Sequence, residues 1–187
     1  MEIRLLGGFS ARRNGEEIAA GAFGGRLARR LLRILLTRRG ELVSRDFLTE
    51  ALWPRSPPAD PVMNLNVLVK RARRALGDPG LILTGPGGYS FARTQQCVVD
   101  AETFLAGVES ARELLAAGRA LGALGAFRVA LDRWGGEPLP EEAYEDWAQE
   151  YRTRLLRARL EALERGAEAA LQAGDPRQAI PLAELAV

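Results

Sequence analysis

Hydrophobic and polar residues alternate in short runs at the start of the chain and then change to a helical period. The opening pattern predicts strands at about 2–6, 8–13 and 16–18. Asn14-Gly15 suits a two-residue hairpin turn, because both central residues of that turn need positive φ. From "GRLARRLLR" onward, apolar residues recur three and four positions apart, which is typical of helices that bury one face.

Three helices are predicted after the strands. The first, within "GGRLARRLLRILLTRRG", stops at Gly40. Ser44 suits the N-cap of the second, which Pro54 ends. A proline-rich loop, "PRSPPADP", leads to the third helix over 61–76, which Gly77 ends. The run "LILTGPGGYSF" then predicts a hairpin around a glycine-rich turn.

Helices dominate the rest of the chain. The pattern predicts them over about 100–117, where Asp100 can serve as the N-cap, over 120–133 and 141–173, and from Pro176 onward. Gly118 and the "AGDP" segment separate them. Helix pairs joined by glycine-containing turns indicate tetratricopeptide-like repeats, of which about two units fit this length.

The third helix sorts its residues onto two faces. At 3.6 residues per turn, one narrow stripe is apolar and is expected to face the core: Val62, Leu65, Val69, Ala72 and Leu76. The opposite face carries Met63, Asn64, Val67, Lys70, Arg71 and Arg74, with Asn66 and Arg73 on its flank. This helix contains no carboxylate that could pair with its cations. The outward face is therefore predicted to be cationic.

Charge divides the chain into two halves. Residues 1–97 carry 16 Lys and Arg against 8 Asp and Glu, a net charge of +8, whereas residues 98–187 carry 10 against 16, a net of −6. A basic half beside an acidic half predicts a module that binds a polyanion joined to a module with another task. The dense basic residues of the first helix either add phosphate contacts or are solvated.

Composition excludes several kinds of chemistry. The chain has no histidine and one cysteine, Cys97. It therefore has no His-based triad and too few ligands for a structural zinc site. The glycine-rich segments are Gly24-Gly25 and "GPGGYS" over 85–90, and neither has the residue spacing of a phosphate-binding loop. We expect no enzymatic activity, no cofactor and no metal, and a cytoplasmic location.

The cationic helix has the chemistry to read duplex DNA. In a major groove, Arg can bond guanine, Asn can bond adenine, and apolar atoms can contact the thymine methyl, while Lys and flanking Arg neutralise phosphates. A capped helix before it and a hairpin after it favour a helix-turn-helix arrangement. Two alternatives stay open: a solvated basic face, or a tetratricopeptide-type scaffold or sensor whose basic half binds RNA or an acidic protein.

The segments of both halves resemble a known family. "LLGGF", "LVSRDFLTEALWP", "NLNVLVKRARRALGDP" and "LILTGPGGYSF" resemble the OmpR-type winged helix of the Streptomyces antibiotic regulatory protein (SARP) family of bacterial activators. "VDAETFLAGVESARELLAAG", "ALDRWGGEPLPE", "YEDWAQEYRTRLL" and "AGDPRQAIPLAELAV" resemble its bacterial transcriptional activation domain. The resemblance covers nearly the whole chain in order.

This resemblance implies a mostly α-helical fold with small β-sheets. A winged helix-turn-helix domain over 1–96, with an N-terminal sheet, three helices and a C-terminal wing, would precede a tetratricopeptide-like activation domain over 97–187 that is cut short. The implied function is activation of transcription: binding to direct repeats in promoter DNA, as a homodimer or in tandem, and recruitment of RNA polymerase. Such a regulator would be cytoplasmic and associated with the nucleoid.

The resemblance also implies the site residues. The expected DNA contacts lie in the second helix, the recognition helix and the wing: Ser44, Arg45, Asn64, Val67, Lys70, Arg71, Arg73, Arg74, Thr84, Gly87, Tyr89 and Arg93. The loop over 53–62 corresponds to the segment with which related activators touch polymerase. Arg55 and Asp60 are its charged residues.

Overall fold

The computed structural model describes residues 1–186, and these residues divide into two compact units. The first unit comprises Met1–Ile3, Phe9–Val98 and Tyr144–Ala148. The second comprises Arg4–Gly8, Val99–Ala143 and the residues from Gln149 onward. The fold is mostly helical with two small sheets, as predicted. The boundary between residues 96 and 97 stays a prediction, and each unit includes a short segment from the other half of the sequence.

Four short strands form one sheet in the order β3-β2-β1-β7. They are β1 (Glu2–Arg4), β2 (Ser10–Arg13), β3 (Glu16–Glu17) and β7 (Val98–Val99). The predicted hairpin is confirmed, since Arg13 pairs with Glu16 across Asn14 and Gly15, whose φ angles are 54° and 84°. The first three strands are shorter than predicted. β1 ends at Arg4 because the backbone amides of Leu5 and Leu6 donate to the Asp100 carboxylate instead of to a neighbouring strand.

The first unit contains the three predicted helices: α1 (Arg26–Thr37), α2 (Arg45–Leu52) and α3 (Pro61–Leu76). Ser44 caps α2 as predicted, with its Oγ accepting from the Phe47 amide at 3.2 Å. Asp60 caps α3 in the same way, accepting from the Met63 amide at 2.8 Å. Gly77, with φ 70°, ends α3.

The predicted C-terminal hairpin is present as part of a second sheet. Its strands β4 (Val43–Ser44), β5 (Ile82–Gly85) and β6 (Gly88–Phe91) lie in the order β4-β6-β5. The turn of this wing falls at Pro86-Gly87, where Gly87 has φ 75°. A Cβ on Gly88 would lie 2.1 Å from the Val43 carbonyl oxygen, so only glycine permits β6 to pair with β4 at this point.

The buried face of α3 is wider than the predicted stripe. Leu68 and Ala75 are buried together with Leu65, Val69, Ala72 and Leu76. The prediction that Val62 belongs to the buried stripe is wrong, because this residue is 46% exposed. α3 packs against both α1 and α2, so a broader arc is covered, while its first turn extends past the core.

Two arginines of α1 have structural roles that the sequence did not predict. Arg33 is buried, and its guanidinium lies 5.5 Å from the centroid of the Phe9 ring. Arg30 forms an ion pair with Glu145, which belongs to the same unit. Neither of the two predicted roles, phosphate contact or solvation, describes these two side chains.

The second unit contains α4 (Asp100–Ala116), α5 (Ala120–Leu131), α7 (Pro176–Glu184) and most of α6 (Asp146–Gln172), from Gln149 onward. α4 and α5 approach closely at Gly107, where an added Cβ would lie only 3.1 Å from the Cβ of Ala130. Pro176 opens α7 as predicted. α6 begins five residues later than predicted, since Leu139 has a positive φ of 48° and a short 3-10 turn over Pro140–Glu142 follows it.

A buried carboxylate fixes the N-terminal segment of this unit. Asp100 was expected to cap α4, but it is the first helical residue and its carboxylate accepts from the amides of Leu5, at 2.8 Å, and Leu6, at 3.1 Å. Burial raises the pKa of Asp100 above its usual value, and those two hydrogen bonds lower it part of the way back. Because the pKa of Asp100 is higher in the folded than in the unfolded state, the contribution of this carboxyl group to stability is greatest below the unfolded-state pKa. That contribution decreases as pH rises through the folded value.

We predict that Asp100→Ala lowers the free energy of unfolding by about 2–6 kcal/mol. The substitution leaves the buried Leu5 and Leu6 amides without their acceptor, and each stranded buried donor costs about 1–3 kcal/mol. Urea denaturation measures the loss. Asp132→Ala, a change at an exposed aspartate of the same unit, is the control and should shift stability by less than about 0.5 kcal/mol. Equal effects of the two variants would contradict this role for Asp100.

Candidate nucleic-acid interface

One line of side chains occupies the middle of the outward face of α3. Met63, Val67, Lys70 and Arg74 follow one another at intervals of four, three and four residues, and all four are exposed. We call them the central row. Among residues 1–186, Lys70 and Arg74 have no hydrogen-bond or ion-pair partner, so their charges face solvent uncompensated. Met63 is 59% exposed and Val67 is 42% exposed.

The flank of α3 that faces the wing is tied down by two side-chain contacts. Arg73 donates to the Ile82 carbonyl from Nε at 2.9 Å and from Nη2 at 2.6 Å, and to Thr84 Oγ1 at 2.9 Å. Tyr89 donates its hydroxyl to Asn66 Oδ1 at 2.6 Å. The wing and α3 are therefore held in one fixed relation. Arg73 lies on the flank of α3 beside the buried face, as expected from the sequence.

The opposite flank of α3 is also anchored. Arg71 Nη1 donates to the Gly24 carbonyl at 3.2 Å. Asn64 Nδ2 donates to the Asp60 carbonyl at 2.8 Å, one turn back in the helix. Bidentate recognition of adenine requires both the oxygen and the nitrogen of an asparagine amide. In the conformation observed, one of the two Nδ2 hydrogens of Asn64 is already used by the Asp60 carbonyl.

The predicted wing residues differ in how much surface they offer. Tyr89 is only 1% exposed, so its ring belongs to the core and its hydroxyl to the contact with Asn66. Thr84 is exposed and holds Arg73. Arg93 donates to the Arg39 carbonyl at 3.0 Å. The wing strands and turn, over 82–91, carry no ionisable side chain other than Tyr89.

The start of α2 is linked to the wing turn. The Arg45 amide donates to the Gly87 carbonyl at 2.9 Å, and the Arg45 guanidinium lies 5.8 Å from the centroid of the Tyr89 ring. Ser44, predicted as a DNA contact, uses its Oγ as the helix cap. The structure thus brings Ser44, Arg45, Gly87 and Tyr89 together beside α3.

The proline-rich loop before α3 has one structural anchor among its charged residues. Asp60 caps α3 through its carboxylate, while Arg55 is exposed. The sequence reasoning assigned Asp60 only to the polymerase-contact loop. An aspartate immediately before Pro61 at the first helical position is the signal that identifies it as a cap.

Met63 was placed on the outward face by the sequence but not among the DNA contacts. Its spacing from Val67 and Lys70 puts it in the same row, and this spacing is the signal that identifies it. The same row excludes Asn64 and Arg71, which lie to one side, and Asn66 and Arg73, which lie to the other.

The second unit contains a groove of about 470 Å³ between α4 and α6. Its arginines are paired: Arg112 contacts Glu109 and Glu161, and Arg165 contacts Glu168. These cations are therefore neutralised within the groove. Residues 1–186 hold no cluster of His, Cys, Asp or Glu suited to a metal ion, and none of their helices is long and apolar enough to cross a membrane.

Comparisons with known proteins match both halves of the chain. Residues 25–91 match the C-terminal domain of transcriptional regulatory proteins, and residues 99–187 match the bacterial transcriptional activator domain. The transcriptional regulatory proteins MoaR1 of Mycobacterium tuberculosis and of Mycobacterium bovis are each 30% identical over 163 residues. The chain therefore combines, in order, the two domains that characterise SARP-type bacterial transcriptional regulators.

The structural comparison covers both units of this SARP-type chain. EmbR of Mycobacterium tuberculosis, solved in complex with a low affinity phosphopeptide, matches 98% of the chain with a TM-score of 0.88 at 25% identity. The aligned part makes up 49% of the EmbR chain. The alignment with each MoaR1 covers 83% of this chain and 52% of MoaR1. The chain spans about half the length of the relatives it matches. The predicted two-domain organisation, a winged helix followed by a helical-repeat domain, is confirmed.

We predict that Arg73→Ala lowers the free energy of unfolding by about 1–3 kcal/mol, since it removes a charged donor from the buried Ile82 carbonyl. Arg74→Ala is the matched control, because Arg74 lies in the same last turn of α3 but has no partner within residues 1–186. Its effect should stay within about 0.5 kcal/mol. Chemical denaturation of the two variants measures the difference, and equal stabilities would show that the contact with β5 is not structural.

Proposed function

We propose that this chain binds duplex DNA as a sequence-specific transcriptional regulator, with α3 as its recognition helix. One observation carries the proposal: the central row places two unpaired cations in the middle of an exposed helical face whose two flanks are anchored. A cation left without a carboxylate partner on a rigid helix is suited to meet an anionic surface. The relatives' description as transcriptional regulatory proteins supports the same function.

The shape of α3 suits a major groove. Its 16 residues extend about 24 Å, at about 1.5 Å per residue, and a helix fits the width of the B-form major groove. The Lys70 and Arg74 side chains then reach phosphates or guanine edges. The anchored flanks reduce the conformational entropy that α3 and the wing would otherwise lose on binding.

The wing has a different task in this proposal. Its tip, over 84–88, contains no charged side chain, so it adds little to phosphate binding. We assign Tyr89, Thr84 and Arg73 to positioning the wing beside α3. Gly87 and Thr84 remain the wing residues that approach the DNA backbone or the minor groove.

The activating role extends the proposal beyond DNA binding. We propose that the regulator activates transcription from promoters with direct repeats, occupied by a homodimer or in tandem, and recruits RNA polymerase through the loop that carries Arg55. The cytoplasm, with association to the nucleoid, is the corresponding location. The phosphopeptide is bound by EmbR, of which this chain matches 49%, and the paired arginines of the groove between α4 and α6 do not favour such a ligand here.

A tetratricopeptide-type scaffold that binds RNA or an acidic protein is the second candidate. The A-form major groove of RNA is too deep and narrow for side chains to read its bases, whereas the length and rigidity of α3 suit B-form DNA. Competition separates the candidates, because an excess of double-stranded RNA or of polyglutamate should not displace a specific duplex DNA.

We predict that Lys70→Ala and Arg74→Ala each reduce the slope of log affinity against log salt by about 1, since each removes one cation from a phosphate contact. Where Arg74 bonds a guanine, its variant also loses about 1–3 kcal/mol of specific binding. Titration of labelled duplex DNA at several salt concentrations measures both. Arg154→Ala, which removes an exposed cation of α6, should leave the slope unchanged. Unchanged binding by both α3 variants would disprove α3 as the recognition helix.

A further inference from the structure

We propose that Met63 and Val67 recognise the 5-methyl groups of two thymines in the DNA site. This inference rests on the proposed function and adds a specificity determinant to it. The two side chains are the apolar half of the central row, exposed by 59% and 42%. They lie on the same line of α3 as Lys70 and Arg74, so a polyanion that meets the cations also meets the apolar pair.

The first part of α3 cannot bind phosphate by charge. Residues 61–69 contain no ionisable side chain, and the cations begin at Lys70. The N-terminal residues of a recognition helix contact base edges in helix-turn-helix proteins. In this helix those residues are apolar at the centre and amides at the sides. An apolar side chain in the major groove has the thymine methyl as its complementary partner.

The amides beside the apolar pair are already occupied. Asn64 donates to Asp60, and Asn66 accepts from Tyr89. Each retains part of its hydrogen-bonding capacity, but neither is free to rotate without losing a contact at 2.8 Å or 2.6 Å. Selectivity at the N-terminal end of α3 therefore falls to Met63 and Val67. Asp60 caps the helix at this end, which keeps the pair in place.

Helix geometry limits the spacing of the two thymines. Residues four apart on a helix are separated by about 6 Å along its axis. Successive base pairs of B-form DNA rise by about 3.4 Å. The two methyl groups should therefore lie within about two base-pair steps of each other, on the side of the site opposite to the positions that Lys70 and Arg74 contact.

Replacement of thymine by deoxyuridine tests the inference, because it removes the methyl group and keeps the base pair. In a duplex selected by the intact chain from a random pool, deoxyuridine at each of two positions should weaken binding about fourfold, as expected for one lost buried carbon. The Met63→Ala/Val67→Ala double variant should bind thymine and deoxyuridine duplexes equally. Both residues are exposed, so the variant should fold, and circular dichroism checks this. Val129→Ala, at an exposed valine of α5, should retain the full deoxyuridine effect.

The outcomes separate the inference from the function on which it rests. If no thymine is sensitive to deoxyuridine while the selected duplex is still preferred, the inference is overturned and the DNA-binding function stands. The same holds if the double variant keeps the full sensitivity, and an apolar contact with a protein such as polymerase would then account for the pair. If no duplex sequence is preferred at all, the proposed function fails and this inference fails with it.

Discussion

The contact between Arg73 and the wing strand determines what the rest of α3 can do. Its guanidinium holds the Ile82 carbonyl and Thr84, while Tyr89 holds Asn66, so the wing is fixed to one flank of the helix. With Arg71 bonded to Gly24 on the other flank, the central row is left as the exposed, unpaired part of the cationic face. A cluster of four arginines and lysines near the end of one helix is thus divided. Two cations hold the domain together, and two are available to a ligand.

The helices, their caps and the outward direction of α3 could be predicted from local sequence. Ser44, Gly77 and Asn14-Gly15 each impose a backbone geometry on their own neighbours, so three to five residues suffice to recognise it. The hairpin and the tetratricopeptide-like helix pairs also followed from the pattern, and the resemblance to the family assigned them to a winged helix and an activation domain. The choice between DNA contact and structural contact could not be predicted in this way. It depends on what lies beside each arginine in space: Gly24 is 47 residues from Arg71, and the Ile82 carbonyl reaches Arg73 because β5 lies beside α3 in the fold.

Burial errors have the same origin. Val62 has the spacing of a core residue, but the core ends before the first turn of α3, so it is exposed. Asp100 has the position of a helix cap, but two amides from the N-terminal segment take its carboxylate. Arg30 and Arg33 were expected to be surface cations. Arg30 instead forms an ion pair with Glu145, and Arg33 lies over the Phe9 ring. The errors at Asp100, Arg30 and Arg33 arose because a residue distant in sequence supplied a partner that the local pattern does not show.

The central claim is that α3 lies in the major groove of a specific DNA sequence, with its central row toward the bases. Selection of bound duplexes from a random pool, followed by interference footprinting with methylation at guanine N7, tests it most directly, since N7 lies in the major groove. We expect one enriched sequence in which guanine N7 methylation within the site blocks binding by the intact chain. For the Arg74→Ala variant, methylation at one of these guanines should no longer affect binding. Enrichment without any interference in the major groove, or no enrichment at all, would contradict it.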